Sequence, residues 1–320
     1  MQATASAQPN IALIKYWGKR DIEQNLPAVG SISITLCELF TRMHVRFDAT
    51  LPGDRLTVND APAPAMLLRV STCLDQVVGA DRPRAAIAST SNFPIAAGLA
   101  SSASSFAALV VAAAAAADKS YDRATLASLA GRASGSAARS LYGGYVELAN
   151  DGDAILVSEI RAPETWPLTV VVAVTEPGPK PVGSTEAMEI SRATSPFYRN
   201  WVTQQDEDLA VARAAIAERD FGRLAAIAEH NCLKMHSIMW ASRPPVVYWN
   251  AATMRCLQTI RGLQGRGVDV FFTIDAGPQV KAVCGPESAT AVEAALRRTE
   301  GVTRVLTTGL GAGARLEQGA

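Results

Sequence analysis

Short apolar runs separated by turn residues fill the first part of the chain, and this pattern predicts β-strands. Residues 32–36, 44–47 and 55–58 are short and rich in β-branched or aromatic side chains. A helical repeat of apolar positions follows over residues 65–78, and a further strand is predicted over residues 85–89. The front half is therefore predicted to be mixed α/β, with strands first.

Alanine dominates residues 107–117, an apolar stretch that predicts a buried helix. The stretch is too short to cross a bilayer, which needs roughly 20 residues, whereas a helix of small side chains packs closely against a sheet. A second helix is predicted from residue 123, and it runs into a glycine and serine turn over residues 131–136. Another helix is predicted to begin over residues 137–141.

The second half is predicted to be mainly helical, with a buried strand at its start. The apolar run 168–174 predicts that strand, and the prolines and glycine of residues 176–179 end it. We therefore predict two lobes, 1–165 and 166–320. The other predicted elements are helical structure over 185–236, helices over 251–264 and 288–298 with Ser288 as the last N-cap, and strands over 268–274, 280–284 and 303–307.

Composition and charge fit a globular enzyme and exclude several other classes of protein. The chain has 320 residues, of which 48% are hydrophobic, and equal numbers of basic and acidic residues, 30 each. This balance supplies no overall field for nucleic acid or an anionic membrane, so we expect neither partner. The cysteines form no C-x-x-C pair and the histidines no H-E-x-x-H pattern, which argues against disulfides or a zinc site. Because the sequence shows no signal-peptide pattern, we expect a cytoplasmic protein.

Residues 91–106 combine small side chains with the start of the predicted alanine-rich helix. Glycine, alanine and serine leave the backbone uncrowded, so consecutive N–H groups can point at an anion. The positive end of the following helix adds to this attraction. The segment therefore predicts a site for the phosphates of a nucleoside triphosphate, although an ordinary loop with an N-cap has the same composition.

The segment 10–21 is apolar but contains two lysines and an arginine. If it is extended, Lys15 and Lys19 share a face with Trp17, because side chains alternate along a strand. Such a face would bind a polyanionic small molecule. The alternative is a strand edge that lysines protect against aggregation.

Two further clusters carry polar groups suited to chemistry. Residues 134–140 place hydroxyls and Arg139 at the mouth of a possible helix, an arrangement that suits a phosphate or carboxylate. The alternative is that Ser134 or Ser136 is an N-cap and Arg139 is solvated. Asp275 lies between an apolar strand and a Gly-Pro turn, where a partly buried acid can orient or deprotonate a hydroxyl, although such an acid often bonds its own turn.

Together these clusters resemble the diphosphomevalonate decarboxylases of the GHMP kinase superfamily, over nearly the full length of the chain. The Tyr-Trp-Gly-Lys segment and the segment that begins at Ser134 are characteristic of the decarboxylases, whereas the serine-rich loop is shared with kinases. The segments that carry the resemblance are 10–21 (NIALIKYWGKRD), 92–109 (NFPIAAGLASSASSFAAL), 134–145 (SGSAARSLYGGY), 182–188 (VGSTEAM) and 273–280 (TIDAGPQV).

The resemblance implies a two-lobed GHMP-kinase-like α/β sandwich (α+β) with the active site in the cleft between the lobes. The N-terminal lobe would be the ATP-binding one, similar to ribosomal protein S5 domain 2. The implied activity is ATP-dependent decarboxylation of mevalonate 5-diphosphate to isopentenyl diphosphate, with release of ADP, phosphate and CO₂. Asp275 would align and deprotonate the C3 hydroxyl, with Lys15 beside it and the transferring phosphoryl group. Arg139 would hold the substrate carboxylate.

The same resemblance implies the groups that bind the substrate and ATP, and it implies a homodimer. Mg²⁺ would neutralise the ATP phosphates, with Ser102 as its ligand. The implied ATP-binding residues are Gly98, Leu99, Ala100, Ser101 and Ser102. The implied substrate-binding residues, besides Arg139, are Tyr16, Trp17, Gly18, Lys19, Arg69, Ser134, Gly135, Ser136, Ala137, Ala138, Ser184 and Thr185.

Two segments depart from the family pattern. Val29-Gly30-Ser31 stands where the family has Asn-Ser-Ser, and residues 311–314 lack the usual proline. These changes bear on nucleotide affinity or substrate choice rather than on the reaction. Three alternatives stay open: a decarboxylase of the 5-monophosphate, a non-catalytic sensor on the same fold, and a simple kinase, which is expected to lack the trio of Lys15, Arg139 and Asp275.

Overall fold

A computed structural model describes residues 1–93, 101–152, 154–176, 178 and 180–317. None of the helices in these ranges is both long and apolar enough to span a bilayer. The helices are α1 (Pro64–Val78), α2 (Ser101–Ala116), α3 (Arg123–Ala133), α4 (Ser184–Thr194), α5 (Tyr198–Glu218), α6 (Phe221–Trp240), α7 (Ala251–Gln264) and α8 (Ala289–Arg297). The strands are β1 (Gln2–Ala7), β2 (Asn10–Ile14), β3 (Lys19–Asp21), β4 (Leu26–Pro27), β5 (Ser31–Thr35), β6 (Thr41–Phe47), β7 (Arg55–Val58), β8 (Ala61–Pro62), β9 (Ala85–Ser91), β10 (Tyr145–Asp151), β11 (Ala154–Arg161), β12 (Thr169–Val174), β13 (Val270–Thr273), β14 (Val280–Cys284), β15 (Arg304–Thr308) and β16 (Arg315–Leu316).

The first sheet has the strand order β16-β1-β6-β9-β7-β8, and the helices α1, α2 and α3 share one apolar core with it. Helix α2 is buried along most of its length, because its alanines let the backbone approach the strands closely. This packing fixes the start of α2, the end that carries the serines of the predicted ATP site.

The second sheet has the order β11-β10-β5-β2, and its strand β5 is buried on both faces. Ile32 and Ile34 pack in the core that also contains α5 and α6. The alternate positions Ser31 and Ser33 face the buried guanidinium of Arg139. The strand therefore combines an apolar face with a polar one, as the period of two requires.

The third sheet, β13-β14-β12-β15, lies between two apolar layers. One face packs with α7 and α8, and the other joins the core of the second sheet with α5 and α6. The turn between β13 and β14 contains Asp275, so a rigid hairpin carries this residue. A 3₁₀ turn, Ala137–Leu141, carries Arg139.

Most of the predicted elements are present, with shifted boundaries. Helix α7 and the strands β7 and β14 have the predicted bounds. The sequence did not predict the strands β1, β2, β3, β4, β8, β10, β11 and β16. The segment 10–21 is not extended throughout, because β2 ends at Ile14 and Gly18 has a φ of 101°, so the condition for a shared face of Lys15, Trp17 and Lys19 is not met. Ser288 precedes α8, but its side chain makes no capping hydrogen bond.

Candidate active site

Three side chains from two sheets meet as an ion cluster. Lys15 follows β2 and donates a hydrogen bond of 2.7 Å to Asp275 Oδ1, while Lys281 on β14 lies 3.2 Å from Asp275 Oδ2. Both lysines are buried, and the Asp275 side chain is 22% exposed. Burial alone would raise the pKa of Asp275, but the two ammonium groups hold it well below its usual value. Asp275 is therefore ionised at neutral pH.

Buried amide side chains fix the backbone of Lys15. Its N–H donates to Asn231 Oδ1 at 2.7 Å, and its carbonyl accepts from Gln205 Nε2 at 2.8 Å. Asn231 Nδ2 in turn donates to Gln205 Oε1 at 3.0 Å and to Asp208 Oδ2 at 2.6 Å. Lys234 completes the network by pairing with Asp208 at 2.8 Å. The peptide that presents Lys15 is thus held at both its polar groups.

Helix α6 also fixes the peptide before Asp275. The backbone N–H of Ile274 donates to Cys232 Sγ at 3.2 Å, and the Ile274 carbonyl lies 3.2 Å from His236 Nε2. Burial lowers the pKa of His236 to about 3, so its ring is neutral. Because Asn231 is on the same helix, α6 positions both partners of the Lys15–Asp275 pair.

Arg139 is 2% exposed, and its hydrogen-bond partners are neutral. Its Nε donates to Ser33 Oγ at 3.0 Å, Nη1 bonds Ser31, and Nη2 lies 3.3 Å from Asn10 Oδ1. Burial lowers the pKa of Arg139 to about 10, opposed by the Asp275 carboxylate, and the group stays charged at neutral pH. A buried guanidinium with neutral partners can accommodate an anion from a ligand.

A second group of cations surrounds the start of α4. Lys19 Nζ lies 3.5 Å from Thr185 Oγ1, and Lys180 bonds Ser184 Oγ and, at 3.1 Å, the carbonyl of Ala276. The N-cap residue of α4 is a glycine without a side-chain cap, which leaves the first N–H groups of the helix open to an anion. Burial lowers the pKa of Lys19, and it lowers the pKa of Lys180 to about 8.

Two glycines make room for the buried hydroxyl groups of two tyrosines. A Cβ at Gly135 would lie 2.6 Å from the hydroxyl of Tyr16, and a Cβ at Gly18 would lie 2.0 Å from the hydroxyl of Tyr198. Among the described residues, neither hydroxyl has a hydrogen-bond partner. Burial raises the pKa of both tyrosines, so both are neutral donors at physiological pH.

The start of α2 and the end of α3 meet near Arg69, which lies on α1. Arg69 donates to the carbonyl of Ala133 at 3.0 Å and lies over the Phe106 ring, 4.9 Å from its centroid. Ser134 Oγ lies 3.4 Å from Ser102 Oγ. The predicted ATP-binding residues Gly98, Leu99 and Ala100 lie outside the described residues.

Some predicted residues are buried rather than open to the cleft. Trp17 is 1% exposed, packs in a core with Trp201, and accepts a hydrogen bond from Trp201 Nε1 through its carbonyl. It therefore does not form a shared face with Lys15 and Lys19. Ala137 and Ala138 are fully buried, and the carbonyl of Ser136 accepts from Asn10.

The structure decides between the alternatives left open for single residues. Lys15 is ion-paired in the interior, so it is not an edge lysine in solvent. Arg139 is buried, so it is not a solvated helix residue. The Asp275 carboxylate pairs with Lys15 and Lys281, while its backbone carbonyl accepts the turn hydrogen bond from Gly277.

Sequence reasoning missed several residues of this site. Lys281 had one signal, since it is the only charged residue in the apolar run VKAVC. Lys180 directly follows the sequence Glu-Pro-Gly-Pro of residues 176–179, a composition that predicts a chain break rather than a site. Asn231 and Gln205 had no signal, because amides on amphipathic helices are common on solvated faces.

Comparison with known proteins gives the family. Residues 7–157 match the family model described as the diphosphomevalonate decarboxylase-like N-terminal domain, and residues 170–313 match that of the mevalonate 5-diphosphate decarboxylase C-terminal domain. The diphosphomevalonate decarboxylase of Schizosaccharomyces pombe is 34% identical over 309 residues, which cover 87% of this chain and 77% of that protein.

Solved structures agree over the whole chain. The mevalonate diphosphate decarboxylase of Staphylococcus aureus is 34% identical, with a TM-score of 0.93 and coverage of 99% of this chain and 98% of that one. A structure described as MDDEF in complex with MVAPP, AMPPCP and magnesium is 31% identical, with a TM-score of 0.92 and coverage of 100% and 99%. The predicted α/β fold class is confirmed. On both sequence and structure, this chain belongs to the diphosphomevalonate decarboxylase family.

Proposed function

We propose that this protein catalyses the ATP-dependent decarboxylation of (R)-mevalonate 5-diphosphate to isopentenyl diphosphate, releasing ADP, phosphate and CO₂. The observation that carries the proposal is the ion pair of Lys15 and Asp275, whose carboxylate also interacts with the charged, neutrally bonded Arg139. Family membership supports the reaction. The related structure named with MVAPP, AMPPCP and magnesium supports the choice of substrates.

Asp275 and Lys15 serve the phosphoryl transfer. The C3 hydroxyl oxygen attacks the γ-phosphorus, the bond from that phosphorus to the β–γ bridging oxygen breaks, and ADP leaves. Asp275 accepts the hydrogen bond of the hydroxyl and receives its proton as the new P–O bond forms. The Lys15 ammonium offsets negative charge on the transferring group.

Arg139 serves the second step. When the C3–O bond breaks, phosphate leaves with the bonding electrons and positive charge develops at C3. The bond from C2 to the carboxylate then breaks, and its electrons form the C=C bond as CO₂ departs. Arg139 holds the carboxylate in the orientation this requires, and Ser31, Ser33 and Asn10 fix the guanidinium plane.

The diphosphate binds where the second group of cations lies. Lys19 and Thr185 meet at the first turn of α4, and Arg69 lies near Lys19, as its lowering effect on the pKa of Lys19 indicates. A helix start and clustered cations are typical of phosphate sites. We propose that the predicted residues Tyr16, Gly18, Ser134, Gly135, Ser136 and Ser184 contribute to this region, while the predicted residues Trp17, Ala137 and Ala138 lie in the core behind it.

ATP and Mg²⁺ bind at the start of α2. Ser101 and Ser102 lie in the first turn of a 16-residue helix, where hydroxyls and N–H groups suit phosphate oxygens. Among the described residues, no group of three or more acidic, histidine or cysteine side chains could hold a metal. This fits Mg²⁺, which binds through nucleotide phosphates, waters and few protein ligands, with Ser102 as the protein ligand. Bound Mg²⁺ would neutralise charge on the transferring phosphoryl group.

Other features remain predictions from the sequence. They are the division into lobes at residue 165, the cytoplasmic location and the homodimer. None of the reaction steps above depends on them, since every named side chain comes from one chain.

The test is release of labelled CO₂ from carboxyl-labelled mevalonate 5-diphosphate in the presence of Mg²⁺-ATP, with the 5-monophosphate in parallel. We expect ADP and CO₂ from the diphosphate alone. CO₂ only from the monophosphate would change the substrate, ADP without CO₂ would indicate a kinase, and neither product would favour a sensor. Arg139→Lys, with the exposed Arg132→Lys as control, should retain more ADP release than CO₂ release.

A further inference from the structure

Lys281 is a fully buried cation in the centre of the third sheet. It is 0% exposed and lies on β14, opposite Thr273 of β13 and Val172 of β12. Its neighbours in sequence are Val280 and Ala282. Burying an ammonium group costs several kcal/mol unless an anion compensates it. A lysine on a strand paired on both sides is also a rigid anchor for whatever it contacts.

Lys281 contacts the inner oxygen of Asp275. Asp275 Oδ2 lies 3.2 Å from the ammonium and is buried from solvent, and among the described residues it accepts no aligned hydrogen bond. Oδ1 accepts the hydrogen bond of Lys15. The 22% exposure of the Asp275 side chain therefore comes from its other atoms. Lys15 therefore contacts Oδ1 of Asp275, and Lys281 contacts Oδ2.

Stability alone does not account for this arrangement. One aspartate and two lysines leave a buried cluster with surplus positive charge, whereas a single lysine would neutralise Asp275. Arg139 and Lys180 add to the surplus, and Cys232 and His236 do not offset it because both are uncharged at neutral pH. Asp275 interacts electrostatically with the following charged and titratable groups: Lys15, Lys281, Arg139, Lys180, Cys232 and His236.

We propose that Lys281 is a positioning residue of the reaction, which anchors Oδ2 of Asp275 in the interior so that an ionised carboxylate presents Oδ1, beside Lys15, to the C3 hydroxyl. This inference rests on the proposed function. Lys281 itself does not touch the substrate. It sets the rotation of the carboxylate and keeps it charged, so that the acceptor is in place before the hydroxyl arrives.

The first experiment compares Lys281→Met with the unsubstituted protein, measuring ADP and CO₂ release from pH 5 to 9. We expect kcat to fall about tenfold or more, with KM for the diphosphate within about threefold. Removing one cation raises the pKa of Asp275, so the loss grows toward the acid end of the series and the acid limb moves to higher pH. Val283→Ala, also buried on β14, is the control for a disturbed strand, and its pH profile should not move.

Two results would overturn the inference alone. One is a Lys281→Met protein with unchanged kcat and pH profile. The other is a higher KM at unchanged kcat, which would make Lys281 a substrate-binding group. An unsubstituted protein that releases neither ADP nor CO₂ would overturn the proposed function and this inference together.

A double substitution distinguishes positioning of Asp275 by Lys281 from direct action of Lys281 on the substrate. It remains informative even if the Lys281→Met variant alone fails to fold. In Asp275→Asn, Lys281 has lost the carboxylate it positions, so adding Lys281→Met should change the residual rate by less than about twofold. The melting temperature of Asp275→Asn should rise when Lys281→Met removes one of two opposed buried cations. A further tenfold loss of rate, or a lower melting temperature, would contradict the proposal.

Discussion

The side chain of Asn231 links the backbone of Lys15 to the buried side chains of α5. Its carbonyl oxygen accepts from the backbone of Lys15, and its amide donates to Gln205 and Asp208. All of these groups are buried, so removing the amide takes the hydrogen-bond partner from the Lys15 N–H and from Gln205 Oε1, while Asp208 keeps its ion pair with Lys234. A buried polar group without a partner costs about 1–3 kcal/mol.

We expect Asn231→Ala to lower the free energy of unfolding by about 1–3 kcal/mol and to lower kcat as well, because the Lys15 backbone loses a fixed position. Urea unfolding and steady-state kinetics measure the two effects. His230→Ala, at an exposed position on the same helix, is the matched control. Loss of stability with unchanged kcat would show that the network holds the fold but does not position Lys15.

Lys180 gives the cleft a charge that titrates near physiological pH. Burial lowers its pKa to about 8, opposed by Asp275 and assisted by Lys281. The ammonium is present below this pKa and lost above it. The attraction for a polyanionic substrate should therefore fall as pH rises.

We expect kcat/KM for the diphosphate to decline above about pH 8, since this ratio reports the free enzyme. In Lys180→Arg the side chain stays charged, so the decline should move to a higher pH. A pH series of initial rates at low substrate concentration measures both proteins. An identical alkaline limb in the two would assign the titration to another group.

At the scale of elements, the turn after β2 determines where the two lysines of the segment 10–21 point. Strand β2 ends at Ile14, Lys15 turns inward to Asp275, and Gly18 with a φ of 101° redirects the chain so that Lys19 reaches α4. A side chain at residue 18 would meet the hydroxyl of Tyr198. The turn therefore requires glycine for both its backbone conformation and its space.

A pair of glycine substitutions tests this turn. Gly18→Ala should destabilise the protein by about 1–3 kcal/mol, because alanine disfavours the positive φ and meets Tyr198. Gly262→Ala, at an exposed position in α7 where a Cβ lies 3.5 Å from its nearest neighbour, should stabilise by about 0.5–1 kcal/mol. Thermal melts of the two variants measure the difference. Equal melting temperatures would contradict the role given to the turn.

The local sequence predicted individual helices and strands better than it predicted which of them contact one another. Helix α7 has a capping box at Asn250 and a clear apolar repeat, and its bounds are as predicted. Strands β10 and β11 form a hairpin, and β11 has one buried residue among exposed and half-buried ones, so its sequence carries little apolar alternation. Residues 10–21 are not extended throughout, since the chain turns at Gly18, where Tyr198, far along the chain, approaches too closely for a side chain.

At the scale of the whole molecule, the site is built from contacts between residues distant in sequence. Lys15 meets Asn231 across 216 positions and Asp275 across 260. The sequence could nominate Lys15, Arg139 and Asp275, because each has a distinctive local setting. It could not find Lys281 or Asn231 as members of the site, since their roles exist only once the third sheet and α6 pack together.

Because the cations of the cleft come from both ends of the chain, a bound anion should stabilise the entire fold. We expect mevalonate 5-diphosphate at 100 times its Kd to stabilise the protein by about 2.7 kcal/mol, seen as a higher melting temperature. The 5-monophosphate at the same concentration should raise it less, because it makes fewer contacts with Lys19 and α4. Equal shifts for the two ligands would argue against a diphosphate site there.

The neutral partners of Arg139 also bear on how the catalytic cycle ends. The substrate brings the carboxylate that complements this guanidinium, and the reaction converts that carboxylate into uncharged CO₂. Once the gas escapes, the hydrocarbon chain of the product offers Arg139 no counter-ion, while the diphosphate keeps its own cations. The protein therefore binds its product through the diphosphate alone, whereas it binds the substrate through both the diphosphate and the carboxylate. Because the reaction removes one of the two binding groups, isopentenyl diphosphate should compete only weakly with fresh substrate.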